Sequence, residues 1–180
     1  MSDADASDWR DAVAEQRRSK DGFFAESDDS PIPRGDREDF DGLDYYQIDP
    51  AYRFELTFDA RDEDAPIALE TQAGGRQEFL HCGVFQFGID GEPVTLHGYR
   101  ADPDEDGLWI PFRDATNGDE TYGAGRYLDV PAPDDGTWVV DFNRAYNPFC
   151  AYDDRYDCPV IPRENVLDVP IPAGERAYDA

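Results

Sequence analysis

The stretch RDATNGDETYGAGRY, residues 113–127, and the longer DFNRAYNPFCAYDDRYDCPVIPREN, residues 141–165, hold most of the side chains with types suited to specific chemistry. Arg126 carries a planar fork of donors that matches a carboxylate or a phosphate. Its plainer role is a buried ion pair with Asp114 or Asp141. Asn143 and Asn147, four residues apart beyond a strand, can each donate and accept, and so either fix loops or grip a polar ligand. Thr121, Tyr122 and Tyr146 join Arg126, Asn143 and Asn147 as the candidate ligand-binding set. Asp114, Asp141 and Glu164 are candidates for an acid–base pair or for hard-metal oxygens. Set against that is a bland role in caps and turns, which fits Thr116-Asn117-Gly118 well as a turn whose side chains bond their own backbone.

The cysteines invite sharper readings. Cys150 and Cys158 are spaced too widely for the paired CxxC of a typical zinc site. A mixed site with Cys82, His81 or His97 is arithmetically available, but both histidines sit within predicted strands, so no metal site is expected. A thiolate nucleophile needs a positioned base or other activation. A disulfide between Cys150 and Cys158 would staple the loop, yet a reducing cytosol disfavours it. The two thiols are therefore read as structural, packed under the loop. YGAGRY contains Gly-x-Gly but neither a third glycine nor a strand-to-helix setting. No GxxxxGK[ST], HExxH or GxSxG string occurs, and no cofactor is predicted. Trp9, Trp109 and Trp138 read as core or interface anchors, with sugar stacking a minor option.

Composition bounds the setting. The chain has 180 residues, enough for one domain with a core, and 13% of them are aromatic. Its 42 acidic and 16 basic residues give a formal net charge of −26, and Lys20 is the single lysine. Acids spread along the whole chain, with arginine in place of lysine, point to work in molar salt, where the Debye length falls to about 3 Å. No basic stripe exists, which excludes a nucleic-acid partner. No apolar run reaches the length of a membrane span, and residues 1–30 lack the regions of a signal peptide. The expected place is a high-salt cytosol, with no membrane partner.

The elements that must position these residues read as follows. Residues 1–7 are expected to be a disordered tail and 8–180 a single domain. DWRDAVAEQRRSK predicts a helix over 8–20 with Asp8 as N-cap. Residues 21–43 read as an extended wrap, and 44–180 as a β-rich body. Strand patterns fall at 52–59, 66–71, 78–89, 93–99, 107–112, 125–130, 137–142 and 165–171, with Asp90-Gly91 as a tight turn. The fold class is mainly β: an antiparallel sandwich or partly closed barrel with a short N-terminal helix and long C-terminal loops.

FRDATNGDETYGAGRYLDV, followed by VDFNRAYNPFCAYDDRYDCPVIPRENVLDVPIPAGER, resembles a bacterial and archaeal family known only as a domain of unknown function, the type numbered 1684. RSKDGFF, SPIP and DFDGLDYYQIDPAYRF extend the resemblance upstream over almost the whole chain. Within it the shared positions include Asp114, Thr116, Arg126, Asp141, Asn143, Asn147, Cys150, Cys158, Asn165 and Glu175. The resemblance implies no established activity.

Loops longer than about a dozen residues in a compact domain tend to be functional or disordered. Segments 113–127 and 141–165 are rich in specific residues, so the expectation is an ordered pocket between them. It would bind, or bind and hydrolyse, a small polar or anionic metabolite. The rivals are a scaffold or partner-binding protein whose motif residues form a structural polar network, and a metal-dependent enzyme.

Overall fold

A computed structural model describes residues 1–178. Helix α1 spans Asp3–Glu26. Ser2 caps it: its hydroxyl accepts from the Asp5 backbone N–H, and the Asp5 carboxylate accepts in return from the Ser2 N–H. That reciprocal pair satisfies two free donors at the helix start. The helix therefore begins at Asp3 rather than Asp8, inside the expected tail, and it continues past Gly22. Tertiary packing explains the extension. Phe24 is buried, with its ring edge-on to Tyr152 at 5.0 Å, and such burial outweighs the cost of a helical glycine, about 1 kcal/mol.

Among the described residues seven strands follow: β1 (Arg53–Leu56), β2 (Asp59–Glu70), β3 (Arg76–Ile89), β4 (Glu92–Arg100), β5 (Leu108–Phe112), β6 (Arg126–Val130) and β7 (Trp138–Asp141). Strands β2 to β6 form one antiparallel sheet in chain order, and β1 pairs with β7 in a separate two-stranded ribbon. The fold is mainly β, as expected, with the ribbon packed on the larger sheet. Phe54 meets Phe87 and Phe58 meets Phe85, each pair at 4.8 Å between ring centres. Phe85, Leu96, Ile110, Phe112, Val140, Phe142 and Ile171 fill the space between them and are wholly buried. The β3–β4 hairpin turns on Asp90 and Gly91, whose φ values of 51° and 84° are the paired left-handed conformation of a two-residue turn.

Two further elements depart from expectation. Strand β2 starts at Asp59 rather than 66, because its acidic half, DARDED, lies at an edge with both faces in water and so shows no apolar alternation. Residues 165–171 form no strand. Arg163–Asn165 is a 3-10 turn, Val166 makes one bridge with Arg113, and Pro170 and Pro172 withhold the N–H groups a ladder needs. In place of a ladder, the Asn165 side chain accepts from His97 N at 2.8 Å and donates to His97 O at 2.9 Å and Pro111 O at 2.8 Å. One amide thus fills the gap where β4 and β5, paired only at Tyr99 and Trp109, diverge.

Candidate functional site

Segments 113–127 and 141–165 do meet. Tyr127 and Tyr146 exchange backbone hydrogen bonds of 2.8 and 2.9 Å, and the Tyr122 hydroxyl donates to Cys150 Sγ at 3.7 Å. Their junction is filled rather than hollow. Gly125 brings the chain in at a φ of 112°, where a Cβ would stand 2.8 Å from Phe112 O, so only glycine fits beside Arg126. The Arg126 side chain is wholly buried. Its Nη2 donates to Asp114 Oδ2 at 2.6 Å and to Ile171 O at 2.9 Å. Its Nη1 donates to Ala173 O and, at 3.1 Å, to Glu175 O, with the Phe112 ring below.

Asp114 is committed in turn. Its Oδ1 accepts from Thr116 N at 2.7 Å and from the Thr116 hydroxyl, which also meets the Thr121 hydroxyl at 2.9 Å. Asn117 donates to Tyr122 O at 2.7 Å and closes the turn. Arg126, Asp114 and Thr121 therefore tie the 113–127 segment to the C-terminal strap 171–175. They present no face to a ligand.

The other candidates fall into separate groups. Asp141 does not pair with Arg126; its Oδ2 accepts from Trp9 Nε1 at 2.7 Å and faces Arg144 Nε at 3.3 Å. Asn143 donates to Asp141 Oδ1 at 2.9 Å and exchanges two 2.8 Å bonds with the Asp49 backbone. Glu164 accepts from the Tyr99 hydroxyl at 2.9 Å, beside a histidine pair in which His97 Nδ1 lies 3.0 Å from His81 Nε2. Burial, then the neighbouring His81, lowers the His97 pKa. The three candidate carboxylates thus serve different partners and do not form an acid–base pair. Among the described residues, no group of three or more His, Cys, Asp or Glu side chains is placed to hold a metal.

Cys150 and Cys158 are free thiols, buried with Tyr127 and Ile161 under the loop. The hydrogen bond from Cys150 brings the Cys158 thiol down to about 7, and the same shared proton, with burial, pushes Cys150 up.

An open cavity of about 370 Å³ lies beside this filled junction, between α1 and residues 143–149. Glu175 is at its floor, buried, accepting from Asn147 N at 2.8 Å, the Tyr152 hydroxyl at 2.7 Å and Lys20 Nζ. The Lys20 ammonium sits over the rings of Phe24 at 5.2 Å and Tyr146 at 5.1 Å. Arg17 donates to Tyr46 O at 2.8 Å and Asn143 O at 3.1 Å and stacks on Tyr45 at 4.5 Å; burial lowers its pKa. Arg144 stands at the edge. Two donors of these lining residues, Arg17 Nε and the Tyr45 hydroxyl, lack a partner.

Asn143 and Tyr146 of the expected ligand set line this cavity. Arg126, Thr121, Tyr122 and Asn147 line neither it nor the two cavities beyond Tyr146. The sequence reading passed over Arg17, Lys20, Arg144 and Asp129. One signal was present: a solitary lysine in a chain that otherwise uses arginine.

Two facing antiparallel sheets, an N-terminal helix and a buried arginine–carboxylate network define an α-capped β protein. The chain belongs to the family described as protein of unknown function (DUF1684), which matches residues 38–176. It is similar to an uncharacterized protein of Haloarcula marismortui with a solution NMR structure. The two share 40% identity over 97% of each chain, with a TM-score of 0.75, so most of α1 lies within the likeness. No curated protein matches the chain. Among the described residues, no helix is long and apolar enough to cross a membrane.

Proposed function

We infer that the protein binds a small anionic metabolite in the cavity between α1 and residues 143–149. One observation carries the reading. In a chain of net charge −26, the only lysine and two arginines line one cavity together with the carboxylates Asp129 and Glu175, while Asp141 pairs with Arg144 from outside the lining. Such a cluster of cationic side chains, within aromatic walls, is suited to a carboxylate or phosphate group on a small organic body. High salt favours the same conclusion, since at a Debye length of about 3 Å the distant acids no longer repel an anion. The reading is of binding and not of turnover, because Asp114, Asp141 and Glu164 are each bound to different partners. A high-salt cytosol is the setting we propose for it.

Arg144 supplies the test. Its side chain is one-third exposed, 33%, so Arg144→Gln should fold normally. Calorimetric titration with a panel of metabolic carboxylates and phosphates should give at least one ligand whose affinity falls about tenfold in Arg144→Gln, the loss of one charge-assisted hydrogen bond. Equal affinity in the two proteins would overturn the assignment.

A second reading rests on the filled network itself. Arg126, Asp114, Asn143, Asn147, Asn165 and Glu175 are all nearly or fully buried and are bonded to backbone or to one another. That is how a scaffold fixes loop geometry. This reading expects no saturable binding by any member of the same panel.

A further inference from the structure

A second cavity, about 620 Å³, lies on the far side of Tyr146 and has the opposite character. Trp109 stacks on Phe79 at 4.7 Å and 20° and meets Tyr127 edge-on at 4.9 Å and 74°. Tyr127 meets Tyr146 at 6.0 Å and 89°. These rings are held before any ligand arrives. The Tyr127 hydroxyl donates to Pro159 O at 2.8 Å, and the Tyr146 hydroxyl donates to Asp129 Oδ2 at 3.0 Å. A fixed wall saves the ordering entropy that binding otherwise costs.

Every charged side chain lining this cavity is a carboxylate: Glu105, Asp106 and Asp129. Asp129 sits at the surface of the sheet, yet the surrounding rings strip enough water to raise its carboxyl pKa. An incoming positive charge would relieve that penalty, and an anion would deepen it. An inorganic cation needs several converging oxygen ligands in place of its water, and among the described residues no group of three or more His, Cys, Asp or Glu side chains is placed to supply them. A weakly hydrated organic cation is attracted to ring faces by their quadrupole and to carboxylates by charge.

We propose that the cavity walled by Trp109, Tyr127 and Tyr146 and edged by Glu105, Asp106 and Asp129 binds a small organic cation, a protonated or quaternary amine. The site stands apart from the anion cavity in charge and in lining, sharing only Asp129 and Tyr146 with it.

The test titrates tetramethylammonium chloride into the full-length protein at constant total chloride, with tert-butyl alcohol as the neutral isostere. Saturable shifts of the Trp109 indole N–H, with the alcohol binding at least tenfold more weakly, are the expected result. Glu105→Gln and Asp129→Asn should each weaken tetramethylammonium about fivefold. Both acidic substitutions lie at the surface, so folding is retained and is read from the rest of the spectrum. Equal binding of the alcohol would reduce the site to an apolar hollow and overturn the proposal. Indifference to both carboxylate substitutions would do the same. A trimethyllysine peptide binding far more tightly than the free cation would overturn the small-molecule assignment in favour of a protein partner.

Discussion

Arg126 is among the largest fully buried side chains of the described residues, and Asp114 and three backbone carbonyls surround its guanidinium. Removing one member of such a pair strands the other in a dry interior. Arg126→Met should therefore destabilise the protein by about 3–5 kcal/mol. Urea unfolding in high salt measures the loss, and a change under about 1 kcal/mol would contradict the role. His97 gives a pH signature. Its pKa is lowered in the fold, first by burial and then by His81, against a smaller opposing pull from Glu164. The unfolded chain thus takes up the proton first as pH falls below about 6.5. Stability should be full above that value and decline as pH drops toward the lower folded pKa. His97→Gln should flatten that part of the profile; an unchanged slope would reject the assignment. At this scale the sequence picks out Arg126 and its neighbours but not which way they face, and it gives little sign of Arg17 or Arg144. Arginine beside glycine reads the same whether its fork meets a ligand or carbonyls from a segment some fifty residues later, as Ala173 and Glu175 are here.

The C-terminal strap 171–175 is the element on which the buried network converges. Gly174 adopts a φ of 80°, and a Cβ there would lie 2.7 Å from both Ala145 O and Phe142 O. Gly174→Ala should lower stability by about 2 kcal/mol or more. It should also loosen Glu175, seen as faster amide exchange at Asn147 and Glu175; unaltered exchange would show that the strap is not what positions them. Elements with a strong period were readable from the sequence. The β3–β4 hairpin, with Asp90-Gly91 between alternating apolar residues, falls where expected. The beginning of β2 was hidden because a two-sided wet edge has no alternation, and the end of α1 because Phe24 is held by Tyr152, a distant partner. The 165–171 run looked like a strand because its apolar residues alternate, yet its prolines and Asn165 replace the ladder with side-chain bonds.

At the scale of the whole molecule, acids are spread along the chain from end to end, including the exposed half of β2 from Asp59 to Glu63. Mutual repulsion at −26 falls as the Debye length shrinks from about 10 Å at 0.1 M salt to ~3 Å at 1 M. The unfolding midpoint should rise steeply with KCl across that range, and Asp62→Asn with Glu63→Gln should reduce the slope. A midpoint indifferent to salt would remove the halophilic reading. Against this field the cluster of Arg17, Lys20 and Arg144 is the feature that needs a reason, and anion binding supplies one. The most direct measurement is a map of amide shifts in ~2 M KCl during titration with metabolic carboxylates and phosphates. At least one ligand should produce saturable changes confined to the Arg17–Phe24 face of α1 and to residues 143–149. Changes centred on 113–127, or none across the panel, would contradict it.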